Sequence, residues 1–244
     1  MSTREDWQRR LGPLYGGALA LTHSTPWRWP TEVGDEARSA GWIVALGVPC
    51  GLVAWAFAWL FGAAGIPSPL AGIAGLGMLT LASAALVERG LVDSIDRWTG
   101  HARSPGVAAT LVLVFVTLLR VGAVLVVPPE QWLWLFLITA VIGRWAAVFL
   151  QAIGDPVAVD ETQRSLVATP APAWLIAAIS GGVLALSVVA MGKLGVVAMA
   201  LVAVGVFAVG LASQRRDGGL SPAIVAVAAA LGELVVLLLA TIGR

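Results

Sequence analysis

Charge is scarce in this chain: of its 244 residues only 12% are Asp, Glu, Lys or Arg, where a soluble domain carries about a quarter. A water-soluble fold is excluded by that shortage. The formal net charge is +1, so the charge balance gives no reason to expect nucleic acid as a partner. Cysteine is nearly absent. Cys50 stands alone, which rules out an intramolecular disulfide and any CxxC metal or redox motif and leaves it the role of a small buried apolar residue. The two histidines, His23 and His101, show no HxxxH or His/Cys spacing, so no zinc site is expected. No P-loop and no Ser/His/Asp order is visible. The first forty residues also lack the continuous apolar run and small-residue cleavage site of a signal peptide. Their Pro26, Trp27, Trp29 and Pro30 suit the headgroup level instead, and residues 1–40 read as a cytoplasmic, interfacial or re-entrant segment.

What is abundant is apolar. Hydrophobic residues make up 59% of the chain, with 28 glycines and a mean hydropathy of +0.90. Ala, Leu, Val and Gly dominate, the residues that let transmembrane helices approach closely. A span needs about 20 mostly apolar residues, and seven stretches qualify: 42–65, 68–87, 106–128, 131–153, 173–191, 194–213 and 220–242. The weakest division is at Gly192 and Lys193. The expected fold is therefore all-α, a polytopic transmembrane helical bundle of about seven spans, forming one membrane domain over residues 1–244. Membrane lipid is an implied partner, and self-association into a homo-oligomer is left open.

Basic residues fall on alternate loops, which sets an orientation. Arg4, Arg9, Arg10, Arg28 and Arg38 precede the first span. Arg89, Arg97 and Arg103 lie in the second loop, Arg164 in the fourth, and Arg215 and Arg216 in the sixth. Only Lys193 and Arg244 fall on the other face. The reading is a multi-pass protein of the cytoplasmic (inner) membrane with its N-terminus in the cytoplasm. Asp93, Asp96, Asp155, Asp160, Glu161 and Asp217 then share the cytoplasmic face, where polar chemistry is expected.

Three ionisable residues, Arg120, Arg144 and Glu233, fall inside expected spans. Each costs about 2.5–3.5 kcal/mol or more at the bilayer centre unless paired or facing a polar cavity. They are expected to point inward, with Glu233 meeting one of the arginines, either as a buried ion pair or as the lining of a cleft. In the second loop, Asp93 and Asp96 are spaced i, i+3 and share a helix face. Such a pair either decorates a solvated helix end or holds a divalent cation that binds a diphosphate. The stretch Arg215-Arg216-Asp217-Gly218-Gly219-Leu220-Ser221 joins a basic pair and glycines to a helix start. It reads as a phosphate-binding turn or as a tight cytoplasmic connection. Asp155, Asp160, Glu161 and Arg164 form a mixed polar loop.

The order of these features resembles the cobalamin synthase family, membrane-bound adenosylcobinamide-GDP ribazoletransferases. The resemblance is carried along nearly the whole chain. Ala18 to Thr22 and on to Pro26 is similar to the family's opening. The stretch from Val87 to Arg97 maps onto a motif of the form H-x-D-G-x-x-D-x-x-D-G. Gly143-Arg144 matches an arginine in a later span. Gly218 to Val227, then Leu231-Gly232-Glu233-Leu234, matches the closing signature, G-G-x-T-G-D-x-x-G-A and a Glu-bearing helix. Gly90, Asp93 and Asp96 keep their motif places, whereas Val87, Arg89 and Arg97 stand where the motif has His, Asp and Gly. Pro222 and Ala223 stand where it has Gly-Asp, and only Arg103-Ser104 survives of a further Asp-Ser-Arg stretch. The resemblance implies Mg²⁺ held by Asp93 and Asp96, with Glu88 as a compensating carboxylate. It implies phosphate contacts from Arg144, Arg215 and Arg216, a substrate-binding turn at Gly218, Gly219 and Ser221, and Glu233 supporting the catalytic cleft with Asp93 and Asp96. The implied reaction joins α-ribazole or its phosphate to GDP-activated adenosylcobinamide and releases GMP. The alternative is a non-catalytic family member that binds a corrinoid or scaffolds membrane enzymes; a transporter fits less well, because the charge sits mostly on one face rather than at midplane.

Overall fold

The computed structural model describes residues 3–26, 39–100, 106–155 and 171–242. Arg28, Arg38, His101, Arg103, Ser104, Asp160, Glu161, Arg164 and Arg244 lie outside the described residues. Within them the chain forms eleven α-helices: α1 (Thr3–Leu11), α2 (Tyr15–Ser24), α3 (Ser39–Ala45), α4 (Gly47–Ala63), α5 (Ser68–Ala82), α6 (Leu86–Thr99), α7 (Val107–Val126), α8 (Trp132–Ile153), α9 (Ala173–Met191), α10 (Lys193–Asp217) and α11 (Pro222–Leu239). Six helical stretches are long and apolar enough to cross a membrane, and a seventh results if the bent pair α5 and α6 is counted together. The first stretch is α3 and α4 run together over Ser39–Ala63. The all-α polytopic bundle expected from composition is the observed architecture.

The second expected span, 68–87, is not one straight helix. After Ala82 the backbone enters the left-handed region at Ala84 (φ 54°) and Ala85 (φ 53°), and α6 leaves at 73° to α5. Its sequence explains the turn. Val87, Gly90, Leu91 and Ser94 are buried while Arg89, Asp93 and Arg97 are exposed, a 3.6-residue pattern that suits a helix lying against the bundle with one face wet. The division at Gly192 holds: its φ of +59° is open to glycine, and the chain reverses there between α9 and α10.

The bundle is built around α8, most of whose residues are buried, with α3, α4, α9, α10 and α11 packed on it. Small residues set the closest approaches. A Cβ at Gly51 would stand 2.5 Å from Leu137 Cα of α8, and one at Gly90 2.1 Å from Ala226 Cβ of α11. Outward-facing positions of α7, including Val107, Leu111, Phe115 and Leu118, are exposed. They follow helical spacing, and a stripe of this kind belongs against lipid, with all backbone polar groups closed within the helix.

Candidate functional site

A cavity of about 280 Å³ opens where α6, α8 and α11 converge, closed on one side by Ser24 of α2 and Ile43 of α3. Most of its wall is apolar, from Val87, Ala147, Val148, Ala226 and Ala229. The charged groups come from three helices: Arg89 and Asp93 from α6, Arg144 from α8, Glu233 from α11. Arg89 and Asp93 are exposed and mark the mouth, whereas Arg144 and Glu233 are 7% and 3% exposed and form the depth. Arg89 and Asp93 are four residues apart and so share a face of α6.

Glu233 meets an arginine, but it is Arg120 rather than Arg144. Arg120 Nη2 donates to Glu233 Oε2 at 2.5 Å, and its Nη1 donates to Glu88 Oε1 at 2.7 Å. Thr80 Oγ1 donates to the same Glu88 oxygen at 3.0 Å. The ion trio ties α5, α6, α7 and α11 together. It also divides two spaces, because Glu88, Thr80 and Arg120 line a second cavity of about 420 Å³ between α5 and α7. Glu88 therefore does not compensate for a missing carboxylate beside Asp93; it is turned to the other side of α6. Glu233 reaches its place across Gly143, where a Cβ would lie 2.7 Å from Glu233 Cγ.

Arg144 has no carboxylate within ion-pair distance among the described residues. Its Nη1 donates to the carbonyl of Ala140 at 3.3 Å and its Nη2 to Cys50 Sγ at 3.1 Å. Its Nε is buried without a partner. Cys50, expected to be an apolar filler, is thus a neighbour that orients a buried guanidinium.

The remaining sequence candidates lie away from this cavity. Asp96 is 8% exposed, and its Oδ1 accepts the N–H of Gly106 at 2.8 Å, at the residue that precedes α7. It holds the start of that helix. Arg216 donates to the carbonyl of Trp98 at 2.6 Å and lies over its ring, 6.0 Å from the centroid. Arg215 is exposed on α10. Gly218 closes α10 with a φ of +75°, Ser213 Oγ donates to the Gly219 carbonyl at 2.7 Å, and Ser221 Oγ accepts from Ile224 N at 3.4 Å to cap α11. Those residues form a tight connection, and only the following Pro222 and Ala223 reach the cavity wall.

The carboxylates do not converge on a metal. Asp93 lines the cavity and Asp96 does not, Glu88 and Glu233 are engaged by Arg120, and Arg89 presents a cation one turn from Asp93. Among the described residues no group of three or more His, Cys, Asp or Glu side chains is placed to hold an ion. Among the described residues, Asp93 and Asp96 are not brought together as the Mg²⁺ pair that the motif resemblance implies.

Taken together, the bundle and its cleft define a polytopic integral membrane protein with a charged, ligand-sized cavity at one end of its helices. The chain belongs to the cobalamin-5-phosphate synthase family, which it matches over residues 17–241. That is a family of transferases of cobalamin biosynthesis. No solved structure matches the chain.

Proposed function

We propose that the protein is a transferase acting on a nucleotide-activated corrinoid at the cytoplasmic face of the membrane. In the reaction the family implies, a free ribose hydroxyl oxygen of α-ribazole or of its phosphate bonds to the phosphorus carried by adenosylcobinamide. The phosphoanhydride bond breaks, GMP leaves with the electron pair, and the hydroxyl proton is released to a base or to water. The observation that carries this reading is the cavity itself: a buried Arg144 whose Nε has no partner faces the same space as the exposed carboxylate Asp93. Phosphoryl transfer is mostly positioning and electrostatic stabilisation of spreading negative charge, and fixed guanidinium groups supply that in a low-dielectric pocket. Asp93 is the carboxylate available to accept the hydroxyl proton. Glu233, held by Arg120, is a positioning group for the wall.

The basic ends of α6 and α10 support a cytoplasmic mouth; an N-terminal tag protected from reagents added outside intact cells is the expected result. The direct test is GMP release by purified protein in lipid, given adenosylcobinamide-GDP and α-ribazole phosphate. Loss of turnover in Asp93→Asn and in Arg144→Gln, with both variants folded, supports the reading. No turnover by the folded wild-type chain refutes it and favours a non-catalytic corrinoid binder, a reading that the unconverged carboxylates also suit.

A further inference from the structure

Arg144 is a deeply buried cation with no carboxylate at ion-pair distance among the described residues; Glu233, on the same cavity, is the opposite charge that it feels through space. It is 7% exposed, its partners are a carbonyl and a thiol, and its Nε has none. A lone charge so placed is costly unless something compensates it. Glu233, the other buried charge on this cavity, is in contact with Arg120, which also holds Glu88, so it offsets Arg144 through space and not by contact. The donor that Arg144 leaves unused, its Nε, is free to meet an anion in the cavity that Arg144 lines. Two other features point the same way. Arg89 places a second guanidinium at the mouth, without an ion-pair partner among the described residues. Pro222 and Ala223 bring the positive end of α11 to the wall, and a helix N-terminus favours an anion. Asp93 is the sole carboxylate of α6 facing this space.

We propose that this cavity captures the phosphate or diphosphate end of an amphiphilic ligand by direct contact with Arg144 and Arg89, with no divalent cation between protein and ligand. The apolar wall takes the adjoining part of the ligand. Arg89 occupies the place that the family motif gives to an aspartate, so a fixed cation on the protein does what a carboxylate-held metal would do: it neutralises phosphate oxygens. Guanidinium groups suit this, since their planar donors pair with two phosphate oxygens at once. The choice of a phosphate-bearing ligand rests on the proposed function; the independence from metal rests on the cavity's own residues.

The test is calorimetric binding of inorganic pyrophosphate to the full chain in nanodiscs of zwitterionic lipid, once with EDTA and once with Mg²⁺. Binding is expected in EDTA, with no gain from Mg²⁺. Arg89→Gln and Arg144→Gln are each expected to weaken it about tenfold or more, the size of one lost charge-assisted contact. Arg89→Asp, which sets a second carboxylate four residues from Asp93, is expected to abolish binding in EDTA and to restore it with Mg²⁺. Arg89 is exposed, so its variants fold even if Arg144→Gln does not, and they carry the test alone. Repeating the titration with phosphatidic acid in the disc identifies the source: competition assigns the site to a lipid headgroup, and unchanged binding assigns it to a soluble phosphate, each by direct guanidinium contact. Wild-type binding that requires Mg²⁺, no binding in either condition, or wild-type affinity in the Arg89→Gln variant overturns the proposal. Pyrophosphate binding in EDTA without GMP release sinks the transferase reading alone, whereas GMP release with Mg²⁺-dependent binding sinks this inference alone.

Discussion

Arg120 and Glu233 lie 113 residues apart in the chain, and their side chains meet inside the bundle at 2.5 Å. The contact fastens α7 to α11, and the second hydrogen bond of Arg120, to Glu88, fastens both to α6. Removing one member of a buried ion cluster leaves uncompensated charge, which costs about 3–5 kcal/mol. Arg120→Met is therefore expected to lower the thermal unfolding temperature in detergent sharply, because two carboxylates lose their partner together. The triple variant Glu88→Gln, Arg120→Met, Glu233→Gln, which removes every charge of the cluster, is expected to recover most of the loss. Equal instability of the single and triple variants would show that the charges do not govern the packing.

At Gly143 the limit is space. An added methyl would stand 2.7 Å from Glu233 Cγ and 3.3 Å from the Ala229 carbonyl, and neither can retreat while Arg120 holds the carboxylate. Gly143→Ala is expected to cost about 1–3 kcal/mol by overpacking and to shift the depth of the cavity. A thermal melt in detergent checks the stability, and pyrophosphate titration checks the site.

Asp93 and Asp96 are one helical turn apart and are expected to answer differently. Asp96 holds the start of α7 through the N–H of Gly106, so Asp96→Ala loses about 1 kcal/mol of stability, whereas Asp96→Asn retains an acceptor oxygen and most of that hydrogen bond. Asp93 is exposed at the cavity mouth, so Asp93→Asn leaves the melting temperature unchanged and abolishes GMP release. Parallel melts and turnover assays on the three variants separate the structural hydrogen bond from the site; equal loss of turnover in Asp96→Asn would point to a paired role instead.

Arg216 is matched by resemblance to a phosphate contact, yet its guanidinium is held on Trp98. Arg216→Ala is expected to leave pyrophosphate affinity unchanged and to cost up to about 1 kcal/mol, as for an exposed cation over an aromatic ring. A weakened titration would return Arg216 to the ligand site.

Hydropathy made the bundle legible, because crossing lipid leaves so few ways to satisfy a backbone. Arg120, Arg144 and Glu233 were legible for the same reason: their burial is forced once the surrounding residues are known to be apolar. Which arginine Glu233 meets was not, since partner choice depends on how α7 and α8 are rotated about α11, and that rotation is set by Gly143 and its neighbours. The bend after Ala82 was hidden because Leu81 to Val87 continues an apolar run; only the polar face of α6 hints that the helix has left the span. The hydrogen bonds of Asp96 and Arg216 were not legible, because spacing reports which face a residue occupies, not what lies against it. Arg89 drew notice as a departure from a motif, while its place on the same cavity as the buried Arg144 depends on how α6 and α8 each pack on α11, which no local pattern records.

The bend at Ala84 and Ala85 also bears on the surrounding lipid. The 15 residues of α5 rise only about 22 Å, against a hydrocarbon core of about 30 Å. Such hydrophobic mismatch is relieved by thinning the leaflet beside a short helix. Phospholipid headgroups are then drawn inward next to α6, so bilayer thickness, set by acyl-chain length, becomes a variable to which this protein's stability and ligand access respond.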